Sequence, residues 1–150
     1  AMIGAPVAAK SMIFTPTHLF TGLRATDSLA DGESYFFAEL KRLQTVVKEA
    51  SSGRPMFILL DEILRGTNSA DKQRGSIALV KRLINLPVAG ILATHDLALG
   101  DLAQEFPENI SAYCFEAEIK DDTLTFDYTL HTGVAHNLNA FFLMGKMGIV

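Results

Sequence analysis

Four apolar residues running straight into two acids, Phe57-Ile58-Leu59-Leu60-Asp61-Glu62, leave few choices of fold. Pro55 just before the run and Arg65-Gly66-Thr67-Asn68-Ser69 soon after it favour a short strand over a piece of buried helix, and so apolar a strand is expected to be buried on both faces. The acids then stand at its carboxyl end, where open α/β sheets bind ligands. Side chains alternate along a strand, so Asp61 and Glu62 point to opposite sides and suit different tasks, one serving a metal and the other a water. The plainer alternative is that both acids only begin a solvated loop.

A chain of 150 residues with 49% hydrophobic content fits one domain with a real core, and no Pro- or Gly-rich linker or charge block divides it. The expectation is a single domain over residues 1–150. A net charge of -4 lacks the electrostatic footprint of a nucleic-acid binder, which places any DNA-binding surface elsewhere. The one cysteine, Cys114, has no internal disulfide partner and reads as a buried strand thiol between Tyr113 and Phe115; a cytoplasmic protein is expected. Residues 140–150 are apolar but interrupted by Lys146 and too short to cross a bilayer, and Ala1-Met2-Ile3 carries no signal-like pattern. Ala1 ahead of Met2 and an apolar end at Ile149-Val150 read as cuts in a longer protein.

Along the chain, residues 7–14 suggest a strand or extended segment before a turn at Pro16. Gly4-Ala5-Pro6-Val7-Ala8-Ala9-Lys10-Ser11 matches the phosphate-loop pattern except at Ala9, but a working loop needs a strand before it and a helix after it; only three residues precede Gly4, Pro6 restricts the loop backbone, and Met12-Ile13-Phe14-Thr15-Pro16 cannot run on as that helix. From Asp31 the spacing turns helical, with Phe36, Phe37, Leu40, Leu43, Val46 and Val47 on one broad face, Glu39, Lys41, Lys48 and Glu49 opposite, and a stop at Ser51-Ser52-Gly53. Its start, Asp27-Ser28-Leu29-Ala30-Asp31-Gly32-Glu33-Ser34, exposes N–H groups and hydroxyls at the positive end of a helix dipole, which suits a phosphate or ordinary capping. After the central strand, Asn68 or Ser69 caps a helix over residues 70–83, with Ile77, Val80 and Ile84 inward and Lys72, Arg74, Lys81 and Arg82 outward. Val88-Ala89-Gly90-Ile91-Leu92-Ala93-Thr94-His95-Asp96 is a second apolar run with polar groups at its end, and strand-helix-strand spacing makes the two strands parallel neighbours. His95 then opens near Asp61 and Glu62. A helix over 97–106, a hairpin of 110–119 with 123–130 and a helix over 134–147 complete the reading.

These parts, in this order, resemble the ATP-binding-cassette branch of P-loop ATPases. Asp61-Glu62-Ile63-Leu64-Arg65-Gly66-Thr67-Asn68-Ser69 closely resembles the D-E-I-x-R-G-T stretch of the MutS DNA mismatch-repair family. The stretch from Asp27 through Ser34 to Phe36 looks like that family's signature loop, and Ala93-Thr94-His95 like its switch histidine. The resemblance implies a three-layer α/β P-loop fold with a mostly parallel sheet, flanking helices and a C-terminal β-hairpin, truncated on its N-terminal side so that the true phosphate loop lies upstream. It implies ATP and Mg²⁺ as cofactors, Asp61 as the metal carboxylate, Glu62 as the group that orients or deprotonates the attacking water, and His95 beside the γ-phosphate. Gly32 and Ser34 would reach a partner's ATP across a homodimer, with Asn68 and Ser69 along the same interface, while DNA would be bound by other domains. An isolated fragment of this kind is expected to bind ATP weakly.

The chain departs from the family pattern at Asp31 and Glu33, which add two carboxylates to the signature loop, at Leu64 in place of the usual glycine, and at Asp96, where an aromatic is common. Two further readings stay open: another cassette-type ATPase of DNA repair or chromosome maintenance, and a non-catalytic dimerisation module. A metal site on His95 would need more ligands, for which His18, His131 and His136 are candidates by type only.

Overall fold

The computed structural model describes residues 6–22, 35–120, 123–135 and 139–150. The expected signature positions Gly32 and Ser34, the tip of the hairpin and His136 lie outside these residues. Two compact units divide the chain, Ala1–His95 and Asp96–Val150.

The first unit runs β1 (His18–Gly22), α1 (Tyr35–Ala50), β2 (Met56–Asp61), α2 (Ser69–Leu83) and β3 (Val88–Ala93). Its three strands form one parallel sheet in the order β1-β2-β3, with Met56 aligned between His18 and Val88 and Asp61 beside Ala93. The parallel pairing of β2 and β3 expected from their helical connection is therefore present. The first strand falls later than the sequence suggests: residues 7–14 form no strand, and pairing begins only after Pro16, at His18. Proline offers no N–H to a ladder, so a strand starts more readily beyond it. Thr17 helps to fix that start by donating its hydroxyl to the Pro55 carbonyl at 2.9 Å.

Strand β2 alternates instead of being buried throughout. Met56, Ile58 and Leu60 are buried, whereas Phe57, Leu59 and Asp61 are half-buried. Leu43 and Val46 from α1 and Leu83 from α2 join Ile58, Leu60, Ile63 and Leu64 in one core. On the opposite face Ile91, the register partner of Leu59, is exposed.

Both helices sit slightly rotated from the faces that hydropathy indicates. In α1 the buried positions are Leu43, Val46 and Ala50, while Phe37 and Leu40 are exposed. Glu39, expected on the solvent side, turns to the core and accepts the Leu64 N–H at 2.6 Å. In α2 the buried residues are Ser76 and Leu83, not Ile77, Val80 or Ile84. Asn68 is the cap, its side chain accepting the Asp71 N–H at 2.9 Å.

The second unit holds α3 (Leu97–Gly100), α4 (Leu102–Glu105), β4 (Tyr113–Lys120), β5 (Thr123–Thr132) and α5 (Asn139–Lys146). The single helix expected over 97–106 is broken at Asp101, which closes α3 and opens α4. β4 and β5 pair antiparallel as expected, with an irregularity where Asp127-Tyr128-Thr129 stand opposite Glu116. Asp127 accepts the Thr129 N–H at 2.9 Å, and Tyr128 takes a left-handed φ of 54°. Cys114 lies in β4 but is only half-buried. The last helix starts no earlier than Asn139 among the described residues, since Val134 and Ala135 are not helical. No described helix is long and apolar enough to cross a membrane.

Candidate active site

Glu62 leaves the sheet along its buried face. It follows Leu60 by two residues, so the pleat that buries Met56, Ile58 and Leu60 carries the carboxylate inward, and only 7% of the residue is exposed. Its N–H donates to the Ala93 carbonyl of β3 at 2.9 Å, which extends the ladder one step past β2. The backbone then turns sharply: Glu62 has φ 50° and Leu64 φ 58°, left-handed values that cost L-residues on the order of 1–2 kcal/mol each. Such strain persists only where surrounding contacts over-determine it, and it collects at functional sites.

The contacts that hold this turn are visible. Arg65 Nε donates to the Glu62 carbonyl at 2.9 Å, and its Nη2 donates to the Asp61 carbonyl at 3.2 Å and to Asp61 Oδ2 at 3.1 Å. Glu39 holds the Leu64 N–H from α1. Gly66 lets the next segment pass close to the same helix, because a Cβ there would come within 2.7 Å of Phe36 Cβ. One arginine, one glutamate and one glycine thus lock the segment that presents the acids.

Three elements meet at the Glu62 carboxylate. Oε1 accepts the backbone N–H of His95, just beyond β3, at 2.8 Å, and His95 Nε2 lies 3.3 Å from the same oxygen. Oε2 accepts from Lys72 Nζ on the first turns of α2 at 2.6 Å. Burial raises the pKa of this carboxyl, but the Lys72 hydrogen bond, the His95 N–H and the electrostatic pull of both neighbours outweigh burial and hold the pKa below the usual value. The group is therefore an anion at neutral pH. Asp61 occupies the other side of the strand with about a third of its side chain exposed, and a small cavity of about 30 Å³ toward β1 and α1 is lined by Phe20, Leu43, Leu60 and Ile63 as well as Tyr35, Glu39, Arg42, Asp61 and Glu62, but by neither Lys72 nor His95. That volume admits a water molecule.

The structure thus gathers Asp61, Glu62 and His95 at the carboxyl edge of the parallel sheet, where the sequence places them. Asn68 and Ser69 follow on the exposed start of α2, with the Asn68 amide engaged by Asp71 through both its oxygen and, at 2.7 Å, its nitrogen. Among the described residues no three or more His, Cys, Asp or Glu gather as a metal cage. His18 pairs with Glu49, and His131 with Asp127.

Sequence reasoning misses Lys72, which it assigns to solvent. The helical period places it only once Ser76 and Leu83 are known to be buried: stepping back from Leu83 by seven gives Ser76, and by four more gives Lys72, so the lysine lies on the buried stripe. Glu39 and Arg65 are missed for a different reason. Both act on backbone atoms of a turn whose conformation no periodicity reveals.

Fold and geometry together define an α/β protein with two acids and a histidine at the carboxyl edge of a parallel sheet. The chain belongs to the MutS domain V family, whose pattern matches residues 1–142. It is 28% identical over 137 residues to the DNA mismatch repair protein MSH4 of Arabidopsis thaliana, covering 91% of this chain and 17% of that protein. It is 36% identical over 118 residues to the DNA mismatch repair protein MutS of Natronomonas pharaonis, covering 78% of this chain and 13% of the relative. With the DNA mismatch repair protein msh3 of Aspergillus fumigatus it shares 31% identity over 147 residues, again 91% of this chain and 13% of the relative. The chain spans less than a fifth of the length of each of these relatives.

Proposed function

We propose that this chain is part of the ATPase domain of a MutS-like DNA-repair protein, and that Asp61, Glu62 and His95 hydrolyse ATP in the complete protein. The observation that carries the reading is the Glu62 carboxylate: buried, ionised, and held from β3 and α2 at the end of the strand that also presents Asp61. In hydrolysis a water oxygen bonds to the γ-phosphorus while the bond to ADP breaks, and the water must give up a proton. Glu62 accepts or directs that proton. A carboxylate offers about four lone-pair sites, so its contacts with Lys72 and His95 leave acceptor capacity for the water.

Asp61 fits Mg²⁺ as a hard-oxygen ligand. It is a carboxylate, partly open to solvent, at the end of the strand, and a magnesium that keeps most of its waters asks for one or two such groups rather than a cage. When bound, the ion would offset the charge of the terminal phosphates. Asp61 must then share or exchange its contact with Arg65. His95, with its ring 86% exposed and its backbone tied to Glu62, suits contact with the γ-phosphate while staying coupled to the base. Gly32, Ser34, Asn68 and Ser69 would serve the nucleotide of a second copy in a homodimer, and DNA would be engaged by other parts of the complete protein. The names of the relatives, all DNA mismatch repair proteins, support a role in DNA repair.

Steady-state ATP hydrolysis by the complete protein tests this. Glu62→Gln keeps the size of the side chain but removes the basic carboxylate and turns one of its two acceptors into a donor, so turnover should fall by about 10²-fold or more with ATP binding retained. Asp61→Asn should weaken magnesium-dependent binding itself. A Glu62→Gln protein that turns over at the wild-type rate would refute the catalytic assignment.

A further inference from the structure

We propose that Lys72 is the positioning residue that orients the Glu62 carboxylate for its water, an inference that rests on the ATPase reading above. Glu62 stands one residue beyond β2 on a left-handed backbone, so the strand sets the side of the sheet its side chain takes but not where its carboxylate plane points. The last torsion of a glutamate is broad and roughly two-fold, and a single hydrogen bond leaves the plane free to swing. Two bonds from different directions remove that freedom. One comes from the His95 N–H to Oε1 at 2.8 Å, the other from Lys72 Nζ to Oε2 at 2.6 Å, and they originate on separate elements of the fold.

The lysine is built for this task. Its side chain is 24% exposed and that of Glu62 8%, so the pair is sheltered from solvent and is not an ordinary surface bridge. It sits four residues ahead of Ser76, whose close packing anchors this stripe of α2, and the helix start is fixed by the Asn68 cap. Lys72 therefore acts from a rigid platform. The ammonium takes one oxygen and the His95 amide the other, which leaves lone pairs of the carboxylate free to meet a water.

The test is kinetic and uses the complete protein. Lys72→Met should lower kcat by roughly 10- to 100-fold with little change in KM, the scale expected when a reacting group loses its orientation. Lys72→Arg, which preserves a cationic donor, should recover most of the loss. In a Glu62→Gln background Lys72→Met should cause no further drop, because the lysine acts through the glutamate. If Lys72→Met does not fold, Lys72→Gln, which keeps a donor but neither the reach nor the charge, carries the same comparison. Wild-type kcat in Lys72→Met alongside a crippled Glu62→Gln overturns this inference and leaves the ATPase reading standing. A rise in KM alone, or a loss that multiplies with Glu62→Gln, also overturns it, since the lysine would then contact the nucleotide independently. Wild-type turnover in Glu62→Gln removes both the reading and the inference.

Discussion

Leu64 is the residue at which two physical demands conflict. Its φ of 58° is one that glycine adopts freely, yet its side chain is buried at 7% exposure and joins the core of the first unit. Left-handed backbone costs an L-residue about 1–2 kcal/mol, whereas truncating a buried leucine costs about 2–5 kcal/mol, so packing wins and leucine is kept. The balance makes an unusual prediction. Both Leu64→Ala and Leu64→Gly should destabilise the chain in urea titrations, but alanine should be the worse by about 1 kcal/mol, because it forfeits the packing and keeps the strain. At most buried sites the order is the reverse, and finding the ordinary order here would show that the turn relaxes without cost.

Among the elements, α2 links core to site, since one stripe carries Lys72, Ser76 and Leu83. Ser76 is 1% exposed and its hydroxyl has no hydrogen-bond partner among the described residues. Alanine in its place would remove an unpaired buried polar group and improve helix propensity, so Ser76→Ala should leave stability unchanged or raise it by up to about 1 kcal/mol. Thermal melting of the two proteins side by side decides it; a clear loss of stability would mean that the hydroxyl does find a partner. The same helix shows what the sequence could and could not display. Its existence, a cap at Asn68 or Ser69 and the parallel pairing of the strands on either side were legible, because capping chemistry and apolar runs are local signals. Its rotation was not, because Ile77, Val80 and Ile84 outweigh Ser76 on any hydropathy scale, and close packing at a small residue depends on what lies opposite. For the site, Asp61, Glu62 and His95 could be placed from strand ends alone. The grip of Arg65 and Glu39 on a left-handed turn depends on tertiary contacts, and so does the inward turn of Lys72.

For the whole molecule, an ATP-sandwiching dimer has a consequence beyond rate. If two nucleotides are held between two copies, slowing hydrolysis slows the opening of the interface, so complete protein carrying Glu62→Gln should accumulate as an ATP-bound dimer. Light scattering with and without Mg-ATP should show the dimer fraction rising only in the presence of nucleotide; an unchanged monomer would refute the coupling. The fold also carries its own gauge of the catalytic state. The amide proton of His95 rests on Glu62 Oε1 at 2.8 Å, and a proton bound to an anion is deshielded and slow to trade with deuterium. If Glu62 takes up the proton of a water, its hold on that amide weakens without the carboxylate having to turn away. A single backbone resonance at the end of β3 would then record, in solution and without any label on the nucleotide, how often Glu62 gains a proton.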